Sequence, residues 1–578
     1  MDYKRVFFAI MRYLLLLLTF NLLLRTYSLS DEQIHRLEAG NHTMQQVNRT
    51  ILIAVLARNV EHLLPTFFGY LERQDYAKDR ISFWIYSDHN IDATGEVLKE
   101  WALGASREYH SIQLTVSDEW NITDQTNPWE WTEQRMIHVS TLRQSALDYA
   151  LSSWADYILF LDTDVFLCNP HTISDLVEAR VRGIAPFMTV GFEKLFSNFW
   201  GSLSDKGYYK RSENYVDILM RDNIGRFRVP IIHSSVLLDL RDTRTRKLRY
   251  WPPPPHFHEF YSRIEDTLIM LVCAAQQGVD LYVTNNRIYG HMIIPIEYYT
   301  LKHARDYFLD FSIENLVDYP PIPYSTHIKS APATSPDTLG VDKIFVINLE
   351  RRPERRERMK AALKLLNIDY ELFSALDGRQ LNESYLEELQ VNMLPGWRDP
   401  WGSRPITYGE IGCFLSHYFI WERVVKEEIS TVIVLEDDIR FSSGFRNRFS
   451  ELMSEVKSLS LDWDLIYLGR KRLVKGEPFV TGSRHLVHPD YTYWTVGYMI
   501  SIRGAKKLLA QEPLRNIMAV DEYLPIMFDK HPRKDWSQKF HPRDLKVYSV
   551  EPLVLEPTHF VGDKYYFTDT EPYQTPES

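Results

Sequence analysis

A 578-residue chain with 45% hydrophobic and 13% aromatic content belongs with globular proteins of roughly two to four domains, and these figures exclude a disordered polypeptide. A formal charge of −11 argues against a nucleic-acid partner and suits a basic polypeptide partner. With only three cysteines, Cys168, Cys273 and Cys413, no disulfide framework and no thiolate metal site is readable, and at most one bridge remains possible.

Lys4, Arg5 and Arg12 precede an apolar run from Tyr13 to Leu24, which reads as a signal peptide or an uncleaved signal anchor over residues 1–28. The chain is therefore expected in the secretory pathway, touching a membrane only through this segment if it is retained. The sequons at Asn41, Asn48, Asn121 and Asn382 are compatible with a lumenal location. The last residues, Gln574 to Ser578, do not form a retrieval signal of the K-D-E-L type.

Residues 29–317 are expected to form the first folded domain. Ile51 to Ala57 reads as a buried strand, a helix follows from about Glu61 to Arg73, and Ile81 to Asp88 is a second strand ending in a carboxylate. Strand, helix, strand makes a parallel crossover unit. A helix over Glu133 to Leu151 then leads into Tyr157-Ile-Leu-Phe-Leu-Asp162-Thr-Asp164, an apolar strand running into paired carboxylates. In open α/β sheets ligands bind beyond the carboxyl ends of the strands, so a diphosphate and a hard cation are expected there. Val229 to Leu240 reads as one strand, with His233 a satisfied core group in preference to a ligand. Asp266 opens a further helix, where compensation of the helix dipole accounts for its charge and a general base is the secondary reading.

Residues 318–340, rich in Pro, Ser and Thr, read as a linker, and 341–578 as a second domain. Lys343 to Asn348 is a strand whose tip is followed by Arg351, Arg352, Pro353 and Arg355, a basic turn entering a helix and suited to an anion such as a diphosphate. A second strand runs to Ser374 and delivers Ala375, Asp377 and Gly378, with a carboxylate available for a nucleobase or ribose. The helix from Gly409 to about Glu428 carries Gly412, which costs about 1 kcal/mol against alanine and so marks a close approach. Thr431-Val-Ile-Val-Leu-Glu436-Asp437-Asp438 then places three carboxylates at a strand end, where a divalent ion would offset their repulsion.

The succession Val346-Ile-Asn-Leu-Glu-Arg-Arg-Pro, Ala375-Leu-Asp-Gly, Gly409-Glu-Ile-Gly-Cys-Phe-Leu-Ser-His and Leu435-Glu-Asp-Asp resembles glycosyltransferase family 25. Asp462 to Gly469, Tyr493 to Ile500 and Val520 to His531 are similar to its procollagen galactosyltransferase branch. The resemblance implies an α/β protein with two tandem GT-A-like, Rossmann-like nucleotide-diphospho-sugar domains. It also implies transfer of galactose from UDP-galactose to hydroxylysine in collagen, with inversion and with Mn²⁺, in the endoplasmic reticulum lumen; a Golgi type II membrane protein or a secreted one is the alternative. Asp438 is then the direct metal ligand, with Glu436 or Asp437 on the ribose or a metal-bound water and His559 as a third ligand. Asp521 or Glu522 is the general base. Asp162 and Asp164 would hold a second ion. An inactive adhesion-associated homologue and a glucosyl-transferring relative are the competing readings.

Overall fold

A computed structural model describes residues 49–119, 123–190, 196–203, 209–255, 257, 265–294, 300–319, 321–329, 335–400, 403–560 and 568–570. The leader and the sequons Asn41, Asn48 and Asn121 lie outside these residues, whereas Asn382 is exposed and caps a short helix by accepting the Tyr385 amide at 2.9 Å. No helix among the described residues is long and apolar enough to cross a membrane.

The first half is laid down as β1 (Ile51–Ala57), α1 (Leu64–Glu72), β2 (Ile81–Ser87), α2 (Thr94–Ala105), β3 (Ser111–Val116), α3 (Glu133–Ser152), β4 (Tyr157–Leu161), β5 (Gly183–Pro186), β6 (Arg226–Val229), β7 (Ser235–Asp239), α4 (Asp266–Gln277), β8 (Leu281–Thr284) and α5 (Leu301–Phe311). Eight strands form one sheet in the order β6-β8-β5-β7-β4-β1-β2-β3. β1 and β4 are apolar and nearly fully buried, as strands covered on both faces must be. They pair in parallel, while β7 lies antiparallel against β4 and β5.

The expected strand from Val229 to Leu240 is broken. Ile231–Ile232 pairs with Phe199–Trp200, and the chain turns at Ser234, a non-glycine residue at φ 64°, before β7 begins. The turn is fixed from outside, because the Ser234 carbonyl accepts the Asp162 amide at 2.9 Å and the His233 amide donates to the Asn198 carbonyl at 3.0 Å. Alternating hydrophobicity alone could not reveal it.

The second half comprises β9 (Lys343–Asn348), α6 (Pro353–Leu365), β10 (Glu371–Ser374), α7 (Tyr408–Lys426), β11 (Thr431–Glu436), β12 (Ile439–Phe441), α8 (Phe445–Ser458), β13 (Leu465–Arg472), β14 (Leu486–Val487), β15 (Thr492–Ser501), α9 (Val520–Met527), β16 (Val547–Val550) and β17 (Leu555–Pro557). Its seven-stranded sheet runs β10-β9-β11-β15-β13-β16-β14. Parallel β9 and β11 are followed by antiparallel β15, then by mutually parallel β13 and β16 and an antiparallel edge. This repeats the first sheet without its outermost strand. β4 and β11 occupy the same place in the two sheets, and each ends in the acidic motif.

The halves meet through the end of the first. Ile313 and Val317 are buried in the hydrophobic cluster that contains Val346, Leu363 and Ile439. Arg440 reaches back to the Glu314 carbonyl at 3.0 Å and to Asp318 at 2.6 Å.

Candidate active site

The tips of β9, β10 and β11 converge on a cleft of about 220 Å³, lined by Arg351, Arg355, Ala375, Gly378, Glu436, Asp437, Asp438, Asp521 and His559, among others. Asn348, the last residue of β9, is buried and donates from Nδ2 to Asp437 Oδ2 at 2.6 Å. The first turn of α6 supplies Arg355, whose Nη1 lies 3.1 Å from Asp437 Oδ1 and 3.3 Å from Asp438 Oδ2. Arg358, one turn on, holds the Asp437 and Ile439 carbonyls at 2.7 Å each, so the acidic turn is tied to α6 through its backbone as well.

The three carboxylates are held differently. Burial and the negative charge of Glu436 push Asp438 up to about 6, against the pull of Arg355. Burial likewise raises Asp437. Glu436 is half-buried, and His417 and the donated Thr495 hydroxyl hold it below the usual range against the cost of that burial. Neighbouring carboxylates with opposed shifts form an arrangement whose repulsion a bound cation would relieve. Asp438 and His559 line the same cleft, and the Thr558 amide donates to the Asp438 carbonyl at 2.7 Å, joining β17's end to the acidic turn. Oxygen-rich donors of this kind fit a hard divalent ion.

The glycines and small polar residues of α7 are explained by the loop it carries. A Cβ on Gly412 would stand 2.4 Å from the Leu376 carbonyl oxygen, and one on Gly378 would stand 2.4 Å from the Tyr408 oxygen. Ser416 Oγ accepts the Leu376 amide at 2.9 Å. The Ala375 to Gly378 loop is thereby pressed onto the helix. Asp377 does not line the cleft; it accepts Arg351 Nε at 2.8 Å.

Asp521 and Glu522 open α9 but part company. Glu522 is fully buried, accepting the Tyr491 hydroxyl at 2.9 Å and meeting His531 Nε2 at 2.6 Å. Asp521 lines the cleft, and burial together with Glu522 and Glu410 raises it well above the usual carboxylate range. Asp521 is the member of the pair that faces the cleft.

Sequence reasoning missed Asp569, which lies beyond every motif. Its carboxylate accepts Arg351 Nη1 at 2.6 Å and Arg352 Nη2 at 2.8 Å, and lies 3.8 Å from Arg355. Arg352 is accordingly placed on Asp569 and not among the cleft's lining residues. His417, Cys413, Thr495 and Trp494 lie within the motifs that carry the family resemblance but were given no role, since a helix face and a strand carry no acidic signature; all four line the cleft.

In the first half Arg143, from α3, bridges Asp162 Oδ1 at 2.9 Å and Asp266 Oδ2 at 2.5 Å. Burial and the Asp162 charge push Asp164 up to about 8, and its Oδ1 is buried without a hydrogen bond. His233 stays neutral at ordinary pH, burial lowering it to about 4.

Two family models match the chain in tandem: "Glycosyltransferase family 25, N-terminal domain" over residues 48–312, and "Glycosyltransferase family 25 (LPS biosynthesis protein)" over residues 341–524. The chain belongs to glycosyltransferase family 25. Procollagen galactosyltransferase 1-A of Xenopus laevis is 43% identical to this family 25 chain, with 91% of the chain and 85% of the relative covered. Procollagen galactosyltransferase 2 of Homo sapiens is 42% identical, over 90% of the chain and 83% of the relative. A probable inactive glycosyltransferase 25 family member 3 of Bos taurus is also 42% identical, over 90% of the chain and 87% of the relative. The two repeated sheets and the two matched regions together give the family 25 chain its tandem GT-A-like α/β architecture.

Proposed function

We propose that this protein is a procollagen galactosyltransferase, moving galactose from UDP-galactose to hydroxylysine of collagen or a collagen-like chain with inversion at the anomeric carbon. The observation that carries the reading is one cleft in which Glu436, Asp437 and Asp438 meet Arg351, Arg355 and Asp521. Inverting transfer is a single displacement, so it needs a stabilised leaving group on one side and a proton acceptor on the other. Arg351 and Arg355 offer planar donors to the departing diphosphate. Asp521 accepts the proton of the hydroxylysine hydroxyl, and burial together with the charges of Glu522 and Glu410 raises its affinity for that proton. Asn348 holds Asp437 so that Asp438 keeps its direction into the cleft. Mn²⁺, held by Asp438 with His559 and Glu436 nearby, would supply positive charge to the leaving diphosphate. Asp162 and Asp164 offer the first half a second nucleotide-sugar site, with Asp266 tied to Asp162 through Arg143. The leader is read as an address to the endoplasmic reticulum lumen.

Replacing Asp438 by Ala and, separately, Asp164 by Ala, then assaying transfer to a hydroxylysine peptide across a panel of UDP-sugars, tests both the site and the donor. Retention of full activity by both variants would refute the site assignment. A second reading, a binding protein that keeps the fold, is favoured by one observation: relatives named inactive are as similar to this chain as relatives named galactosyltransferases. Calorimetric titration of the intact protein with Mn²⁺ and UDP separates the two, since absence of heat favours the inactive reading.

A further inference from the structure

Cys413 and His417 stand four residues apart on α7 and so share one face of that helix. That face meets the end of β11. The Cys413 sulfur, a ring nitrogen of His417 and a carboxylate oxygen of Glu436 all lie within 4.8 Å of one another, the one such group among the described residues. His417 is 1% exposed, its Nδ1 meets the Tyr498 hydroxyl at 2.9 Å, and its Nε2 is buried with no hydrogen bond, 3.6 Å from Glu436. A buried imidazole nitrogen that makes no hydrogen bond, beside a thiol and a carboxylate, is an arrangement with a cost that a ligand would remove.

We propose that Cys413, His417 and Glu436 form a zinc site separate from the hard-cation position at Asp438. The donor set is sulfur, nitrogen and oxygen, which selects Zn²⁺ over Mn²⁺ or Mg²⁺. Zinc–ligand bonds of about 2.0 to 2.3 Å put tetrahedral ligand atoms roughly 3.3 to 3.8 Å apart, so small side-chain rotations close the present group onto an ion. Tyr498 orients the His417 ring through Nδ1, and Thr495 donates to Glu436, so two of the three side chains are already held in place. All three residues line the cleft, so a further ligand could reach the ion from it. Binding exchanges the Cys413 S–H bond for an S–Zn bond and releases one proton to solvent, with no change of oxidation state. The inference does not depend on the transferase reading, since a catalytically silent protein with these side chains would bind the same ion.

Co²⁺ serves as the spectroscopic probe in the intact protein. One equivalent should produce a thiolate-to-cobalt charge-transfer band that Zn²⁺ bleaches, that Cys413→Ser abolishes and that Asp438→Ala retains. Independently, Zn²⁺ should slow alkylation of Cys413 by about tenfold or more, read by mass spectrometry on the unmodified sequence, while Cys168 and Cys273 are unaffected. Absence of the band, its survival in Cys413→Ser, or its loss in Asp438→Ala overturns the proposal. Unchanged Cys413 alkylation in the presence of Zn²⁺ overturns it even if the serine variant fails to fold.

Discussion

Asn348 Nδ2 donates to Asp437 Oδ2 at 2.6 Å, joining the tips of neighbouring strands that are 89 positions apart in sequence. Both side chains are buried, so the bond cannot be replaced by water without rearrangement. Asn348→Ala should destabilise the second half by about 1 to 3 kcal/mol, the penalty for a buried charged acceptor losing its donor. Urea unfolding followed by a probe in that half measures the loss. An unchanged midpoint would mean that Asn348 does not anchor the acidic turn.

The outline of both sheets was legible because β1, β4, β9 and β11 are short, continuous apolar runs ending in polar residues. Carboxylates at a strand's end can be read from one line of sequence. The Ser234 break could not, since its cause is a hydrogen bond from Asp162, far away in the chain. Nor could Asp569 be found, because no local pattern announces that an acidic residue near the end of the chain will lie across three arginines. The choice between Asp521 and Glu522 was illegible for the same reason: adjacent residues in a helix's first turn point to different surroundings, and only packing says which meets Tyr491 and His531.

That choice has a kinetic consequence. Asp521→Asn should lower kcat by about a hundredfold or more, the usual contribution of a general base, with little change in KM for UDP-galactose. Glu522→Gln should instead act on stability, lowering the melting temperature through the buried Tyr491–Glu522–His531 group. If the glutamine variant loses kcat at an unchanged melting temperature, the roles are reversed.

Gly412 offers a test of packing in isolation. An added methyl would meet the Leu376 carbonyl at 2.4 Å, a backbone atom that cannot swing aside. Gly412→Ala should therefore destabilise by about 1 to 3 kcal/mol even though alanine is the better helix former, and it should displace the Ala375 to Gly378 loop. A stability gain on thermal unfolding would contradict the close approach.

Asp569 faces Arg351 and Arg355, the arginines that the proposed diphosphate would use. Its own carboxyl is buried, but Arg352 and Arg351 hold it below the ordinary range, so it is an anion near neutral pH. Asp569→Ala should strengthen UDP binding by up to about tenfold by removing a competing negative charge. Weaker UDP binding in the same titration would show that Asp569 positions Arg351 and Arg355 and does not compete for them.

The contact between the halves should respond to pH through Glu314. Burial and the nearby Asp310 carboxylate push it up to about 7 from an ordinary value of 4.5, against the pull of Arg440. Its folded value is raised, so its contribution is fully present below about 4.5 and is lost as pH rises through about 7. The group is partly open to solvent, and screening reduces the effect to about 1 kcal/mol. Glu314→Gln cannot ionise and should be more stable than the parent at pH 8, with the gap closing toward pH 5. Thermal unfolding of both proteins at the two pH values measures the difference, and an equal gap at both would place the pH response in another group.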